Sequence, residues 1–140
     1  MATPSIERAG ALTSPAPVIA TLANGVRIVA LPSTALATAA VAVFIRSGSA
    51  HEPKLVNGIS HVVEHMLFKG TATRDARRIN LDAELLGADV NAHTDRDHTA
   101  FYMRGLAEHS GQFAYMLADL VVQPSFPEDE LERERQVLLQ

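Results

Sequence analysis

The five residues His61-Val62-Val63-Glu64-His65 constrain this chain more than any other stretch. On an α-helix, which turns about 100° per residue, His61, Glu64 and His65 fall within roughly one quadrant. Ile59, Val62, Val63 and Met66 take the other side. Such a helix can bury its apolar face and present two imidazoles and a carboxylate on the opposite one. Neutral imidazole nitrogen is a good zinc ligand, catalytic zinc keeps about three protein ligands plus a water, and a carboxylate beside that water can take its proton. The spacing therefore supplies two metal ligands, His61 and His65, and a general base, Glu64.

Composition narrows what surrounds this helix. With 140 residues and 47% hydrophobic content, the chain can bury one core, so a single domain or part of one is expected. A net charge of −4 and no Lys/Arg cluster argue against nucleic acid, whose binders carry a basic patch. The chain has no cysteine, so a metal here must use His and carboxylate. The uncharged segments between Arg8, Arg27 and Arg46 are broken by Pro15, Pro17, Asn24, Gly25 and Pro32, which does not suit a membrane-spanning helix. Residues 1–10 lack a basic start followed by an apolar run, so no secretory signal is expected and a cytoplasmic location is.

Taken in order, residues 1–17 are rich in Pro, Ser, Thr and Ala and are expected to form a poorly ordered leader. Apolar runs from Val18 and from Val26 flank Asn24-Gly25, a hairpin signal in which both turn positions take φ > 0. Ala39 to Arg46 reads as a strand buried on both faces and central in its sheet. Asn57 is the expected N-cap of the motif helix, and His51 a loop histidine rather than a ligand. Asp75 caps a helix from Ala76 to Leu86 that Gly87 ends. Asp89 to Thr94 and Thr99 to Arg104 read as two strands joined by Asp95-Arg96-Asp97-His98. Phe113, Met116, Leu117, Leu120 and Val121 form the core stripe of a helix from Glu108 to Val122. A last helix follows Pro127, with Leu131 and Leu138 apolar one heptad apart.

The stretch from Gly58 to Thr71 closely resembles the metal helix of the pitrilysin/insulinase-type zinc peptidases, whose His-x-x-Glu-His order is the inverzincin signature. Three more segments agree in order and spacing. Gly87-Ala88-Asp89-Val90-Asn91-Ala92-His93-Thr94 is similar to the family's strand beside the active site, Phe101-Tyr102 to the aromatics of its next strand, and Glu132 to Leu138 to its last active-site helix. The resemblance covers the chain from Val18 onward. It is nearest to the processing-peptidase members and implies an α+β fold, a two-layer α/β sandwich with a mostly antiparallel sheet packed by helices.

By the same resemblance, His61 and His65 are zinc ligands, Glu64 activates water and Glu134 is a supporting carboxylate. Asn91, Ala92 and Thr94 lie where the family's edge strand pairs with an extended peptide substrate. The family commonly has Glu where Asp97 stands, and its third zinc ligand is a Glu seven residues after Glu134, which is position 141. The expectation is therefore a zinc metalloendopeptidase domain truncated at its C-terminal end, weak in zinc and inactive as 140 residues, working with a homologous second domain or subunit. Two other classes compete. A non-catalytic homologous subunit or peptide-binding module would be expected to lose the His/Glu set, which is intact here, and lyases with the same His-x-x-Glu-His order need a Cys ligand, which is absent.

Overall fold

The computed structural model describes residues 16–138, and side chains as far as residue 136. Most of the expected leader, residues 1–15, lies outside the described residues. The described chain divides into a hairpin unit, ending at Leu36, and a larger unit from Ala37 onward.

In the hairpin unit, β1 (Val18–Thr21) pairs antiparallel with β2 (Arg27–Ala30), Val18 facing Ala30 and Thr21 facing Arg27. The turn differs from the expected two-residue form. Among the described residues only Gly25 of the pair has positive φ (88°), and Asn24 instead accepts the Val26 amide on Oδ1 at 3.1 Å. That side-chain turn, closed by the Leu22 amide on the Val26 carbonyl at 2.8 Å, lets Asn24 keep an ordinary backbone.

The larger unit is α+β. Its three strands, β3 (Thr38–Ile45), β4 (Asp89–Thr94) and β5 (Thr99–Leu106), form an antiparallel sheet in the order β3-β5-β4. Helices α1 (Ile59–Leu67), α2 (Ala76–Leu85) and α3 (Ser110–Val122) pack on one face of it, and α4 (Glu128–Leu138) packs on α1. Phe101 and Met103 of β5, Ile79 and Ala83 of α2, Leu67 of α1 and Phe113, Met116, Leu117 and Leu120 of α3 make one core. Each large member contributes about 2–3 kcal/mol by leaving water. The expected α3 stripe is thus the core face, with Asp75 capping α2 through the Arg78 amide at 2.7 Å and Gly87 ending it at φ 58°.

Two expectations about burial in the larger unit are corrected. Among the described residues the Ala39–Arg46 segment pairs only with β5 and is an edge strand rather than the centre, and its residues alternate between half-buried and exposed, with Phe44 68% exposed. Its outward positions are Ala40, Ala42 and Phe44, so both phases are apolar and the period of two is invisible in the sequence. β5 takes the central place instead because Phe101 and Met103 give it the larger side chains to bury. The second correction concerns α1, which buries Ser60, Glu64, Met66 and Leu67 and leaves Ile59 and Val63 exposed. Hydrophobicity alone puts the wrong side inward, because the carboxylate has a partner below it.

Asn57 does not cap α1. The N-cap is Gly58, at φ 92°, a conformation that disfavours a side chain. The first amides of the helix go instead to Glu52, which accepts from Gly58 N at 2.6 Å and Ser60 N at 2.9 Å. A carboxylate at this end also meets the positive end of the helix dipole. Gly48, earlier in the same loop, is required by space. A Cβ there would lie 2.3 Å from the Asp95 carbonyl oxygen, where the loop crosses the β4–β5 turn.

Asp119, buried on α3, holds the segment between α1 and α2. It accepts from Thr71 Oγ1 at 2.8 Å, Thr73 Oγ1 at 3.1 Å and Arg74 Nη1 at 2.6 Å, while Arg74 Nε reaches Asp82 at 2.8 Å. Burial pushes the Asp119 carboxyl up, but the donors from Thr71, Arg74 and Thr73 outweigh it and hold the group below its ordinary value. A carboxyl depressed in the folded state stabilises fully above its unfolded pKa of about 4 and loses that contribution as pH falls through the folded value. Asp119→Ala should cost about 3 kcal/mol at neutral pH, because it takes the acceptor from the Thr71 and Thr73 hydroxyls and from Arg74 Nη1, leaving Arg74 only Asp82. Denaturant unfolding from pH 7 down to pH 3 should show stability falling on acidification, with a shallower fall in the variant. Equal slopes would mean that Asp119 carries no linked proton.

Candidate metal centre

α1 lies against β4, and the meeting point is Glu64 over Thr94. Thr94 is on the sheet face that carries Ala92 and Phe101, so its hydroxyl points at the helix and donates to Glu64 Oε2. Beside it, Thr99 Oγ1 donates to the Ser47 carbonyl at 2.8 Å. With both hydroxyl protons committed, the 3.4 Å between Thr94 Oγ1 and Thr99 Oγ1 is a packing contact. Glu64 is only 9% exposed, yet no buried side-chain polar atom among the described residues lacks a partner. One of its oxygens is thus held from below.

One turn apart on α1, the His61 and His65 rings meet edge to face with centroids 4.4 Å apart. One ligand atom from each of His61, Glu64 and His65 lies within 4.8 Å of the others. His61 is exposed, while His65 is half-buried under α4. There Glu134 places Oε2 2.8 Å from His65 Nδ1 and Oε1 2.6 Å from Lys69 Nζ, with Glu130 3.6 Å from the same ammonium. Lys69 first, and His65 after it, hold the Glu134 carboxyl below its ordinary value against the opposing effect of burial. An ionised carboxylate can only accept, so Nδ1 of His65 donates, and in the neutral ring this tautomer leaves the Nε2 lone pair for a metal. This is the carboxylate–histidine arrangement that orients metal-ligating imidazoles.

In front of the helix an open cleft of about 480 Å³ is lined by Glu52, His61, Glu64, Ala92, His93 and Thr94. Its far wall is β4, which among the described residues pairs only with β5 and so forms an edge of the sheet. Of the three residues expected to pair with a substrate, Thr94 turns its side chain to Glu64 and Asn91 turns away from α1, folding Oδ1 back onto the Ala92 amide at 2.8 Å. Ala92 lines the cleft. The expected set His61, Glu64, His65 and Glu134 is brought together by α1 and α4. Position 141 falls outside the sequence.

Sequence reasoning missed Lys69 and Glu52. Lys69 follows His65 by four residues, a spacing that keeps it on the same side of the helix end, and this was the available signal. Glu52 had none, since its partners are backbone amides reached by a loop. Among the described residues no helix is long and apolar enough to cross a membrane.

Residues 28–140 match the family described as Insulinase (Peptidase family M16). The chain is 42% identical over 118 residues to a protein of Bacillus subtilis (strain 168) named uncharacterized zinc protease YmxG, covering 84% of this chain and 29% of that one. It is 37% identical over 128 residues to the probable mitochondrial-processing peptidase subunit beta of Arabidopsis thaliana, covering 91% and 24%. Among solved structures, a protease from Helicobacter pylori superposes with a TM-score of 0.83 at 28% identity, over 88% of this chain and 30% of that one. The chain therefore spans between 24% and 30% of the length of these relatives. The helix that carries both histidines, the carboxylate beneath it, the antiparallel sheet and the match over residues 28–140 agree, and the chain belongs to the insulinase family of peptidases, family M16.

Proposed function

We propose that this chain carries the metal-binding part of a zinc metalloendopeptidase that hydrolyses peptides or presequences. The observation that supports it most is the convergence of His61, Glu64 and His65 within 4.8 Å, with Glu134 orienting His65 from the second helix. The donor set fits zinc: two imidazoles, one with its distal nitrogen freed by a carboxylate on the other, beside a carboxylate that can serve as base. Zinc held there would polarise the scissile carbonyl and acidify the attacking water.

The chain's own groups do the rest. His61 and His65 would hold the metal, and Glu134, kept ionised by Lys69, fixes the His65 ring. Glu64, with one oxygen fastened by Thr94, offers the other to the water, takes its proton and passes it to the leaving amine. The peptide lies along the free edge of β4, bonding through its backbone, so that side-chain identity matters little at most positions. For strand addition the guest must displace Asn91 Oδ1 from the Ala92 amide. A third protein ligand completes the usual catalytic set, and the family resemblance assigns it to a Glu at position 141. The 140 residues alone are then expected to bind zinc weakly and to hydrolyse nothing. A homologous second domain or subunit closes over the peptide.

Three measurements test this in the full-length protein. Glu64→Gln should keep stoichiometric zinc and lose turnover by about 10²–10⁴-fold, whereas His65→Ala should lose the zinc itself. Retained hydrolysis in Glu64→Gln ends the general-base role, and if wild-type protein binds zinc without hydrolysing any peptide, a non-catalytic subunit is the better reading. Glu134→Gln and Lys69→Met should each weaken zinc affinity, by about 10–100-fold for the former, with affinity read by chelator competition; unchanged affinity in both would show that His65 needs no orienting partner. Finally, an inhibitory peptide N-methylated at the amides facing β4 should bind about tenfold more weakly per lost hydrogen bond. Equal inhibition would sink strand addition.

A further inference from the structure

The β4–β5 turn carries a second group of metal-ligand side chains, apart from α1. His93 borders the cleft at the edge of β4, but it sits opposite Ala100 in the ladder, so its side chain is on the alternate phase to Thr94 and projects from the other sheet face, while Asp95 and His98 close the turn through the Asp95 amide and the His98 carbonyl at 2.8 Å. The His93 and His98 rings meet edge to face, centroids 5.5 Å apart at 85°. One ligand atom each from His93, Asp95 and His98 lies within 4.8 Å of the other two.

Two further features separate this from a chance pair of surface histidines. Asp97 Oδ1 lies 2.8 Å from His98 Nδ1. A carboxylate only accepts, so that nitrogen donates, and in the neutral ring this tautomer leaves Nε2 its lone pair, the same device that Glu134 applies to His65. The backbone of the turn is also held in place. Ser49 N donates to the Asp95 carbonyl at 3.1 Å and Ala50 N to the Arg96 carbonyl at 2.7 Å, an approach that Gly48 alone makes possible. The donors therefore stand on a braced turn rather than on a loop that must be ordered first, which lowers the entropic cost of binding.

We propose that His93, Asp95 and His98 form a second divalent transition-metal site, on the sheet face away from His61 and His65. Two imidazoles and one carboxylate select zinc, cobalt, nickel or copper over calcium and magnesium, which require mostly oxygen. His93 and Asp95 are exposed, so the bound ion keeps water in its remaining positions and the site has modest affinity. Its role is structural. The ion ties the end of β4 to the start of β5 next to Thr94 and Thr99, whose side chains occupy the other face. Nothing in this assignment depends on the peptidase reading of α1.

The test uses the full-length, untagged protein carrying His61→Ala and His65→Ala, so that the α1 pair cannot bind. Co2+ is titrated by visible absorbance and Zn2+ by calorimetry. One equivalent should bind and should raise the thermal midpoint. Adding His93→Gln or His98→Gln should weaken that binding at least tenfold and abolish the midpoint shift, and Asp97→Asn should weaken it by about tenfold through the freed His98 ring. His93 and Asp97 are exposed and His98 is half-buried, and circular dichroism of each variant without metal checks the fold. No bound equivalent in the His61/His65 background, or an equivalent indifferent to both His93→Gln and His98→Gln, would overturn the site.

Discussion

A carboxylate on the buried side of a helix must find a donor, and the one that Glu64 finds, the Thr94 hydroxyl, sets the relation of α1 to the sheet. Without it, burying an ionised group under α1 would cost several kcal/mol and the helix would roll to bring Ile59 and Val63 inward, the side that hydrophobicity favours. The register of β4 on β5 depends on the same contact. Slipping β4 by one residue against β5 would turn Thr94 to the far face and leave Glu64 without its hydroxyl donor. The closed register therefore aligns the helix axis, the free edge of β4 and the face on which both imidazoles emerge.

Charge then adds what packing cannot. Lys69, at the end of α1, and Glu134, on α4, are far apart in sequence but share one ion pair, and His65 hangs from it. Because Glu134 is nearly buried, a lone carboxylate there would be unfavourable; the ammonium makes it affordable and keeps it an acceptor. The outcome is a ring orientation determined by an element that arrives about seventy residues later. Ring orientation of this kind is a tertiary property even where both imidazoles lie one turn apart.

Much of the fold was legible locally. Asp75 caps α2 and Gly87 ends it as their residue types require, the β4–β5 hairpin sits between the expected runs, and the spacing from Phe113 to Leu120 is the core face of α3. The failures share a cause. The apolar run of β3 has no visible period because alanine and phenylalanine fill its outward phase, so its edge position could not be read. Asn57 has the side chain of a cap, yet Glu52 from outside the helix takes the amides. Asn24 has the residue type for positive φ but closes its turn through its own carboxamide. In each case a long-range or side-chain partner replaced the local one that propensity assumes.

By itself the sequence determined that one helix would bear His61, Glu64 and His65 on a common arc, because spacing on a regular helix leaves no alternative. The order of strands and helices was also legible, from turn residues, caps and apolar runs, while the α+β class was what the resemblance implied. Which side of that helix is buried, which strand is central and which nitrogen of His65 stays free were decided only in three dimensions. Those outcomes depend on Thr94, on Phe101 and Met103, and on the Glu134–Lys69 pair, and each of these is a contact between elements that no local pattern encodes.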